Sequence, residues 1–423
     1  MEMPPASQLK VVVISIDGLR PEFYLNPKFK CPSLRDSMKR GSYSNRLRPV
    51  YPSITFPNHT TMVTGVRPSK HGIYANTKFT GNICDSEEWY FNASEIKVPT
   101  IWDVLNRIGK KTALIRWPVT INAKAEWIIP EVFNVENTET RSGWEPFVKY
   151  VDPKLLKLLK KMISIKIENR EDHDVFVVKA VKLINETFHP DLVLCHLINL
   201  DHIQHNHSLR SKEVSKAVST TDRMVSEIFR SFAPENTVFI ILGDHGFAEI
   251  RKAIHVNTLL INNGWLEIKA NRIQHWKALA KIEGGQATIY VKNPQMIEEI
   301  TESLKIEEKG SFRIIGRQEL DKLGALPDAA CAIEPVEEHA AVCETNRQIV
   351  SELKKKHGQH GFLTSREDML SGLIVCGPTI KCGPIVEEVS MLDIAPTLAS
   401  IFGVRLESAE GKILKIQDNA ETT

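Results

Sequence analysis

The sequence predicts an α/β fold with a mostly parallel β-sheet that is flanked by helices on both faces. Short apolar runs occupy residues 11–16, 192–200, 238–242 and 372–376. Such runs, when turn residues bound them, are typical of buried strands in a parallel sheet. Segments with helical spacing alternate with the runs, which also indicates a sheet covered on both sides. A chain of 423 residues exceeds one compact core, so we expect one large domain with insertions, or two domains.

The segments between the runs support this fold class. Helices are predicted over 32–38, 100–108 and 211–231, and a further strand over 111–116. Thr100 precedes the second helix and is a suitable N-cap residue. The third helix carries its apolar residues on one face, as expected for a helix packed against a sheet.

Two stretches differ from this pattern: residues 140–180, which are rich in lysine and aromatic residues, and residues 264–345. The second stretch contains the following unit. A helix-like segment at 296–304 lies between strand-like segments at 287–291 and 312–315, which is a βαβ-like unit. We expect it to belong to a small inserted α+β cap subdomain. The predicted division is a catalytic core of residues 1–263 and 346–423 and a cap of residues 264–345.

Composition excludes several classes of protein. With 42% hydrophobic and 25% charged residues, the chain is globular rather than disordered, and a net charge of +2 argues against a nucleic-acid polymer as partner. The seven cysteines form no CxxC pair, and Cys195 and Cys376 lie in apolar runs, so a secreted disulfide framework is not indicated. The polar start and the lack of a membrane-spanning run predict a cytoplasmic protein without signal peptide or membrane anchor.

Acidic and histidine residues flank the apolar runs. They are Asp17, Asp201, His205, Asp244, His245 and His360. In open α/β sheets, ligands bind outside the carboxyl ends of the strands, so these side chains could meet at one rim. Three aspartates and three histidines are enough to hold two divalent metal ions.

A candidate nucleophile lies in the segment 52–59, before an apolar helix-like run. A Ser or Thr hydroxyl there is a poor nucleophile by itself, but coordination to a metal activates it without a general base. The N–H groups at a helix start also favour bound phosphate. The more common role of such a hydroxyl is a helix cap.

Six short motifs occur in one order along the chain: SIDG at 15–18, TFPNH at 55–59, HGIYAN at 71–76, DxxxH at 201–205, GDHG at 243–246 and GQHG at 358–361. Through them the chain resembles the nucleotide pyrophosphatase/phosphodiesterase family of the alkaline phosphatase superfamily. The resemblance implies an alkaline-phosphatase-like core and hydrolysis of phosphodiester or phosphoanhydride bonds. It also implies a small phosphate diester or nucleotide as substrate.

The resemblance further implies a two-zinc centre and a role for each ligand. One zinc would be held by Asp17, Thr55, Asp244 and His245, and the other by Asp201, His205 and His360. Thr55 would be the nucleophile that forms a phospho-enzyme. Asn76 and the backbone N–H of Phe56 would donate to the substrate oxygen. The ligand types suit zinc, with manganese or iron as alternatives.

Other chemistry-bearing residues are expected to be structural or peripheral. The segment 31–35 has a partly sulfatase-like pattern, and 154–166 could form an amphipathic helix. We interpret both as packed structural helices. Six further histidines are expected to line the rim, to orient loops or to lie in the core: His59, His71, His202, His207, His255 and His357.

Substrate preference is less strongly indicated. The sequence identifies no cation aimed at the extra charge of a monoester, which favours a diester. If a monoester were preferred, the missing cation would be an Arg or Lys from 140–180 or 264–345, such as Arg141 or Lys292. Trp117, Tyr74 and Phe79 are candidates for an aromatic platform. The alternatives are phosphonoacetate hydrolase-like or phosphomonoesterase activity and, more remotely, a phosphomutase-type isomerase or a non-catalytic metal-binding protein. The sequence does not give the oligomeric state.

Overall fold

The computed structural model describes residues 9–81, 88–132, 145–269 and 272–417. The strands in this part of the chain are β1 (Lys10–Ile16), β2 (Gly41–Arg48), β3 (Thr112–Ile115), β4 (Trp127–Ile129), β5 (Leu192–Leu197), β6 (Thr237–Leu242), β7 (Ala248–Ile254), β8 (Leu266–Lys269), β9 (Arg272–Trp276), β10 (Ala278–Glu283), β11 (Gln286–Val291), β12 (Phe312–Gly316), β13 (Cys331–Pro335), β14 (His339–Ala341), β15 (Val350–Gln359), β16 (Ser371–Cys376), β17 (Gly383–Pro384) and β18 (Val389–Ser390).

The α-helices of the same ranges are α1 (Glu22–Leu25), α2 (Pro32–Lys39), α3 (Thr55–Thr64), α4 (Pro68–His71), α5 (Ile101–Arg107), α6 (Glu145–Val148), α7 (Pro153–Met162), α8 (Arg170–Phe188), α9 (Asn199–Asn206), α10 (Lys212–Arg230), α11 (Val256–Asn262), α12 (Ile297–Ile306), α13 (Arg317–Leu323) and α14 (Ile394–Ile401). None of them is long and apolar enough to cross a membrane.

The central sheet has the strand order β17-β2-β16-β6-β1-β5-β3-β4, with β18 beside β2. Strands β6, β1, β5, β3 and β4 are parallel to one another. Strand β16 is antiparallel to both of its neighbours, β6 and β2. Because β16 is reversed, its start lies at the same edge as the carboxyl ends of β1 and β6. A ligand that precedes β16 can therefore reach ligands that follow β1 and β6.

Strand β1 shows why helices cover both faces of this sheet. Successive side chains of a strand point to opposite faces. Val12 and Ile14 belong to a core cluster with residues of α8 and α10, whereas Val11 and Val13 pack with residues of α5 and α14 on the other side. All four are at most 1% exposed, so the run is apolar throughout rather than alternating. The predicted fold class is confirmed, and all four apolar runs contain strands, one of which is shorter than its run.

The three predicted helices are also present, as α2, α5 and α10. Thr100 caps α5 as predicted, since its side chain accepts from the N–H of Asp103 and its own N–H donates to the Asp103 carboxylate. Helix α7 of the amphipathic segment packs on the domain through Leu155 and Leu159, which are at most 3% exposed.

One strand prediction was too long. The apolar run at 192–200 was expected to lead directly into Asp201, but β5 ends at Leu197 and α9 begins at Asn199. The buried carboxylate of Asp174 accepts the N–H groups of Ile198 at 2.8 Å and Asn199 at 3.0 Å. This bonding satisfies donors at the helix start, so Asp201 lies in the first turn of α9.

The region of the expected cap contains a separate antiparallel sheet of order β10-β11-β13-β12. Helix α12 joins β11 to β12, but β13 lies between these two strands and pairs with both. The two strands of the βαβ-like unit are therefore parallel but not adjacent. Their core cluster includes Leu259 and Ile254, which precede residue 264. The boundaries at 264 and 345 stay a prediction.

Candidate active site and metal centre

The predicted ligands meet at the sheet edge where β1 and β6 end. Asp17 follows β1, Asp244 and His245 follow β6, and Asp201 and His205 lie on α9. His360 directly follows β15. Two groups, Asp17–Asp244–His245 and Asp201–His245–His360, each have ligand atoms within 4.8 Å of one another. The structure thus brings the six aspartate and histidine candidates together.

The first ligand group surrounds His245. Its Nε2 lies 3.3 Å from Asp17 Oδ1 and 3.2 Å from Asp244 Oδ2. All three atoms are buried, and none has a hydrogen-bond partner among the described residues. Four ligands about 2.0–2.1 Å from a tetrahedral zinc ion lie about 3.3 Å from one another. The spacing and the unsatisfied buried atoms therefore fit a metal ion.

The second ligand group consists of Asp201, His205 and His360, and its three ligand atoms form a triangle. His205 Nε2 lies 3.3 Å from Asp201 Oδ1 and 3.1 Å from His360 Nε2, and His360 Nε2 lies 3.7 Å from Asp201 Oδ1. Two imidazole nitrogens at 3.1 Å share either a proton or a metal ion. The carboxylate oxygen that completes the triangle makes the metal ion the better interpretation, because it is a further ligand of the right type and spacing.

Hydrogen bonds to the backbone orient both central imidazole rings. His245 Nδ1 lies 3.1 Å from the carbonyl of Gly246, and His360 Nδ1 lies 3.0 Å from the carbonyl of Ser53. A carbonyl only accepts, so each Nδ1 carries a proton, which leaves Nε2 as the ring atom available to a metal ion. This is the arrangement that fixes the tautomer of metal-binding histidines.

The two carboxylate oxygens of Asp244 have different partners. Its Oδ1 accepts the N–H groups of Gly18 at 3.1 Å and His245 at 3.0 Å, while Oδ2 faces His245 Nε2. Gly18 has a φ of +67°, and a Cβ there would meet the Phe247 ring at 2.5 Å. A glycine is needed at this position because the turn is left-handed and closely packed.

Burial and closely spaced charges shift the pKa values of the residues in the first ligand group. Burial opposes ionisation of Asp17, but His196 and His245 outweigh it and hold the pKa of Asp17 well below its ordinary value. Burial, and then the charge of Asp17, raises the pKa of Asp244 to about 7. Burial acts against a charge on His245, yet the neighbouring Asp244 and Asp17 raise its pKa to about 9. A metal ion at this site must displace protons.

Thr55 is the first residue of α3 and lines the same cavity, of about 240 Å³, as Asp17 and Asp201. The N-cap position belongs to Ile54, which offers no side-chain cap. The neighbouring Ser53 hydroxyl donates to the carbonyl of Phe362 at 2.7 Å. Neither hydroxyl caps the helix, so the common structural role does not explain Thr55.

Asn76 and the backbone N–H of Phe56, the two predicted donors to the substrate oxygen, are adjacent, but they bond each other. The N–H of Phe56 donates to Asn76 Oδ1 at 2.9 Å. This bond uses the backbone N–H and holds the carboxamide, which lines the cavity. Within the described residues the Asn76 Nδ2 has no acceptor, so it is the donor that the cavity offers to a ligand.

Sequence reasoning missed a buried pair behind Asp17. His196 lies in β5, with Nδ1 2.7 Å from Glu131 Oε2 and Nε2 3.4 Å from Asp17 Oδ2. Burial opposes a charge on His196, but Glu131 and Asp17 raise its pKa well above its ordinary value. The available signal was a histidine inside the apolar run at 192–200, where a buried polar group needs partners.

The cavity wall corrects the expected choice of aromatic platform for the substrate. Trp89 lines the cavity, whereas Trp117 is fully buried beside His59, Phe79 stacks on Tyr290, and Tyr74 packs in another cluster. Three consecutive aromatic residues at 89–91 could have indicated this platform, but they lie outside the recognised motifs.

A cation also lines the cavity, which the sequence did not identify. It is Arg170, the first residue of α8. Lys292 instead lies over the ring of Trp276, 5.7 Å from its centroid, and Arg141 lies outside the described residues. Arg170 lies within 140–180, one of the two stretches from which such a cation was considered, although the residue itself was not singled out; it reaches the wall because α8 starts beside α9.

The other histidines singled out above, and the sulfatase-like segment, lie outside the two ligand groups. His59 Nδ1 bonds the carbonyl of Thr55, and His71 bonds Thr61 and the N–H of Ile73, so both brace α3 and its following loop. His202 lines the cavity, while His255 bonds Glu344 and Ser351. His207 and His357 lie 3.9 Å from Glu213 and 3.4 Å from a Lys355 carbonyl. Cys31 is buried, and Arg35 donates to the backbone carbonyls of Tyr24, Asn26 and Phe29.

The fold and the site together define a class of protein. Its members have a mostly parallel α/β core and two aspartate–histidine ligand groups at one edge of the sheet. Residues 11–363 match the type I phosphodiesterase / nucleotide pyrophosphatase family, and the chain belongs to this family. Ectonucleotide pyrophosphatase/phosphodiesterase family member 1 of Mus musculus is 26% identical over 274 residues, which are 62% of this chain and 26% of that protein. Ectonucleotide pyrophosphatase/phosphodiesterase 1 of Saccharomyces cerevisiae is 23% identical over 440 residues, covering 93% of this chain and 56% of that protein. The chain spans about a quarter of the length of the mammalian relatives.

Solved structures give the same fold. Murine ectonucleotide pyrophosphatase / phosphodiesterase 5 superposes with a TM-score of 0.67 at 17% identity, over 94% of this chain and 96% of that one. An inactive threonine-to-alanine variant of the murine protein, in complex with AMP, gives the same TM-score at 16% identity. The predicted alkaline-phosphatase-like fold is confirmed.

Proposed function

We propose that this protein hydrolyses phosphodiester or phosphoanhydride bonds of small substrates, with Thr55 as nucleophile beside two zinc ions. The observation that carries the proposal is the pair of ligand groups around His245 and His205, which open into the cavity that Thr55 lines. Membership of a family named for these activities supports the reaction class.

Each ligand group would hold one metal ion. Asp17, Asp244 and His245, with the Thr55 hydroxyl, would hold the first. Asp201, His205 and His360 would hold the second. Two bound zinc ions would supply Lewis-acid activation of the nucleophile and stabilise the charge on the oxygens of the transition state. The nitrogen and oxygen ligand set suits zinc, and manganese or iron is the alternative.

The protein side of the reaction begins at Thr55. Its Oγ1 loses its proton to solvent and forms a bond to phosphorus while the bond from phosphorus to the leaving oxygen breaks, so the rest of the substrate stays on Thr55 as a phosphate ester and the leaving oxygen takes up a proton from solvent. Water then attacks the phosphorus and breaks its bond to Oγ1; the water oxygen stays on the phosphate product, one water proton goes to solvent and Oγ1 regains a proton. The Asn76 Nδ2 would donate to an equatorial oxygen, whose negative charge grows in the transition state.

Two residues of the cavity wall bear on the substrate. Trp89 offers an aromatic face to a leaving group such as a nucleobase. Arg170 offers a guanidinium, whose geometry suits phosphate oxygens. A second anionic group would therefore be favoured, as in a nucleotide phosphoanhydride. A nucleic-acid polymer is not an expected partner.

Phosphomonoesterase activity is the second candidate, because Arg170 could also meet the extra charge of a monoester. Phosphonoacetate hydrolase-like activity, a phosphomutase-type isomerase and a non-catalytic metal-binding role have no comparable observation in their favour. Zinc analysis combined with p-nitrophenyl monoesters, diesters and a nucleotide anhydride separates these candidates. Hydrolysis of diester or anhydride in preference to monoester supports the proposal. Selective hydrolysis of the monoester supports the second candidate.

A further inference from the structure

The turn between β10 and β11 reaches from the inserted sheet to the candidate site. This turn, residues 283–286, is called the hairpin tip below. The N–H of Gly285 donates to the carbonyl of His360 at 2.6 Å. Gly284 has a φ of +61°, and a Cβ there would lie 2.5 Å from that same carbonyl. The hairpin tip thus contacts the backbone of a predicted metal ligand so closely that only glycine fits.

The same tip also holds the segment that carries the predicted donor. The carboxylate of Glu283 accepts the N–H of Asn76 at 3.3 Å and the N–H of Thr77 at 2.9 Å. It also accepts from the Thr77 hydroxyl. One side chain therefore fixes the backbone of Asn76, whose carboxamide then bonds the N–H of Phe56.

A buried ion pair supports Glu283. Lys281 Nζ lies 2.9 Å from Glu283 Oε1, and the two side chains are only 4% and 9% exposed. Lys281 also donates to the carbonyl of Thr77. Buried ion pairs are costly to form, and replacing this one by apolar side chains would leave the N–H groups at 76 and 77 without an acceptor. The pair therefore holds the backbone at 76 and 77 in place, and the tests below separate this role from its effect on stability.

We propose that the hairpin tip is a positioning element that sets the Asn76 donor and the His360 ligand relative to each other. Glu283 acts on Asn76, and the Gly284–Gly285 backbone acts on His360. The inference rests on the proposed function, since it assigns roles around that same site. Neither Glu283 nor Gly284 touches substrate in this account.

The first test separates positioning from stability at Glu283. Glu283→Gln keeps the reach but loses one acceptor, and Glu283→Ala loses both. We expect kcat for a diester to fall in that order, by about tenfold for alanine, which is less than the about 10²-fold expected for loss of an oxyanion donor. KM and zinc content should change little. Both variants leave Lys281 unpaired and should lower the melting temperature.

The double variant Glu283→Ala/Lys281→Met decides between the two explanations. It removes the unpaired charge, so the melting temperature should rise above that of Glu283→Ala while kcat stays as low as in Glu283→Ala. Recovery of kcat together with the melting temperature would overturn the positioning role.

The second test compares two glycines that both have a positive φ. Gly284→Ala and Gly310→Ala both place a side chain at positive φ, but a Cβ at Gly310 meets nothing within 4 Å. Zinc affinity is measured by competition with a chromophoric chelator, which needs no turnover. We expect Gly284→Ala to weaken one of two zinc sites by about 10- to 100-fold, as loss of outer support for a ligand does. Gly310→Ala should match the parent protein.

Equal zinc affinities in the two glycine variants would overturn the role of the tip at His360. If the proposed function itself is wrong, the parent protein lacks diester hydrolysis or two zinc sites, which is measured first and is independent of either variant.

Discussion

The ring of His245 lies flat against the ring of His360, with centroids 3.6 Å apart and planes inclined by 10°. The Nε2 of His245 faces Asp17 and Asp244, whereas the Nε2 of His360 faces His205 and Asp201. The stacked pair is therefore the boundary between the two ligand groups. It joins the end of β6 to the segment that precedes β16, and the antiparallel direction of β16 makes this meeting possible.

The role of Thr55 is tested by Thr55→Ala. The fold and at least one metal site should remain, because the Thr55 hydroxyl bonds no residue in the described part of the chain, and hydrolysis should be lost with the nucleophile. Circular dichroism, zinc content and turnover of bis-p-nitrophenyl phosphate are the measurements. Ser53→Ala is the matched control, since its hydroxyl is bonded to Phe362, and it should keep most activity. Near-parental turnover by Thr55→Ala would exclude the role.

The role of Asn76 is tested by Asn76→Ala. We expect kcat for a diester to fall by about 10²-fold, because the donor acts mainly on charge that develops in the transition state. KM should change much less. Steady-state kinetics on bis-p-nitrophenyl phosphate measure both. A raised KM with an unchanged kcat would show that Asn76 only binds the ground state.

Arg170 should determine how strongly a second anionic group is preferred. Arg170→Ala is expected to lower kcat/KM for a nucleotide anhydride by about 10-fold or more, and to change it little for bis-p-nitrophenyl phosphate. Lys292→Ala is the control, since Lys292 lies over Trp276 and away from the cavity. Parallel losses on both substrates would mean that Arg170 supports the wall and does not select the substrate.

Zinc affinity should rise with pH. His245, with its pKa raised to about 9, and Asp244, with its pKa raised to about 7, hold protons that a metal ion must displace. Each displaced proton contributes up to about a tenfold gain in affinity per pH unit. The rise should be steepest below pH 7, continue more slowly to about pH 9 and then level off. Chelator competition from pH 6 to 9 measures it, and a flat profile would contradict the assigned ligands.

The sequence predicted the fold and the ligand groups because both depend on local patterns. Apolar runs such as 11–16 and 238–242 mark strands, and a ligand that follows a strand is placed by the sheet itself. The path from β5 into α9 was not predictable, since Asp174 of a distant helix starts α9. Arg170, Trp89 and the hairpin tip were missed for the same reason. They reach the site through tertiary packing of elements that carry no motif.

The central claim is a two-metal centre beside Thr55, and the number of zinc ions bound per chain tests it most directly. The protein is stripped with a chelator, reconstituted with zinc at neutral pH and analysed by atomic emission, with diester hydrolysis followed in parallel. We predict about two zinc ions per chain, and activity that is lost on chelation and returns with zinc. One zinc ion per chain or none after reconstitution would contradict it.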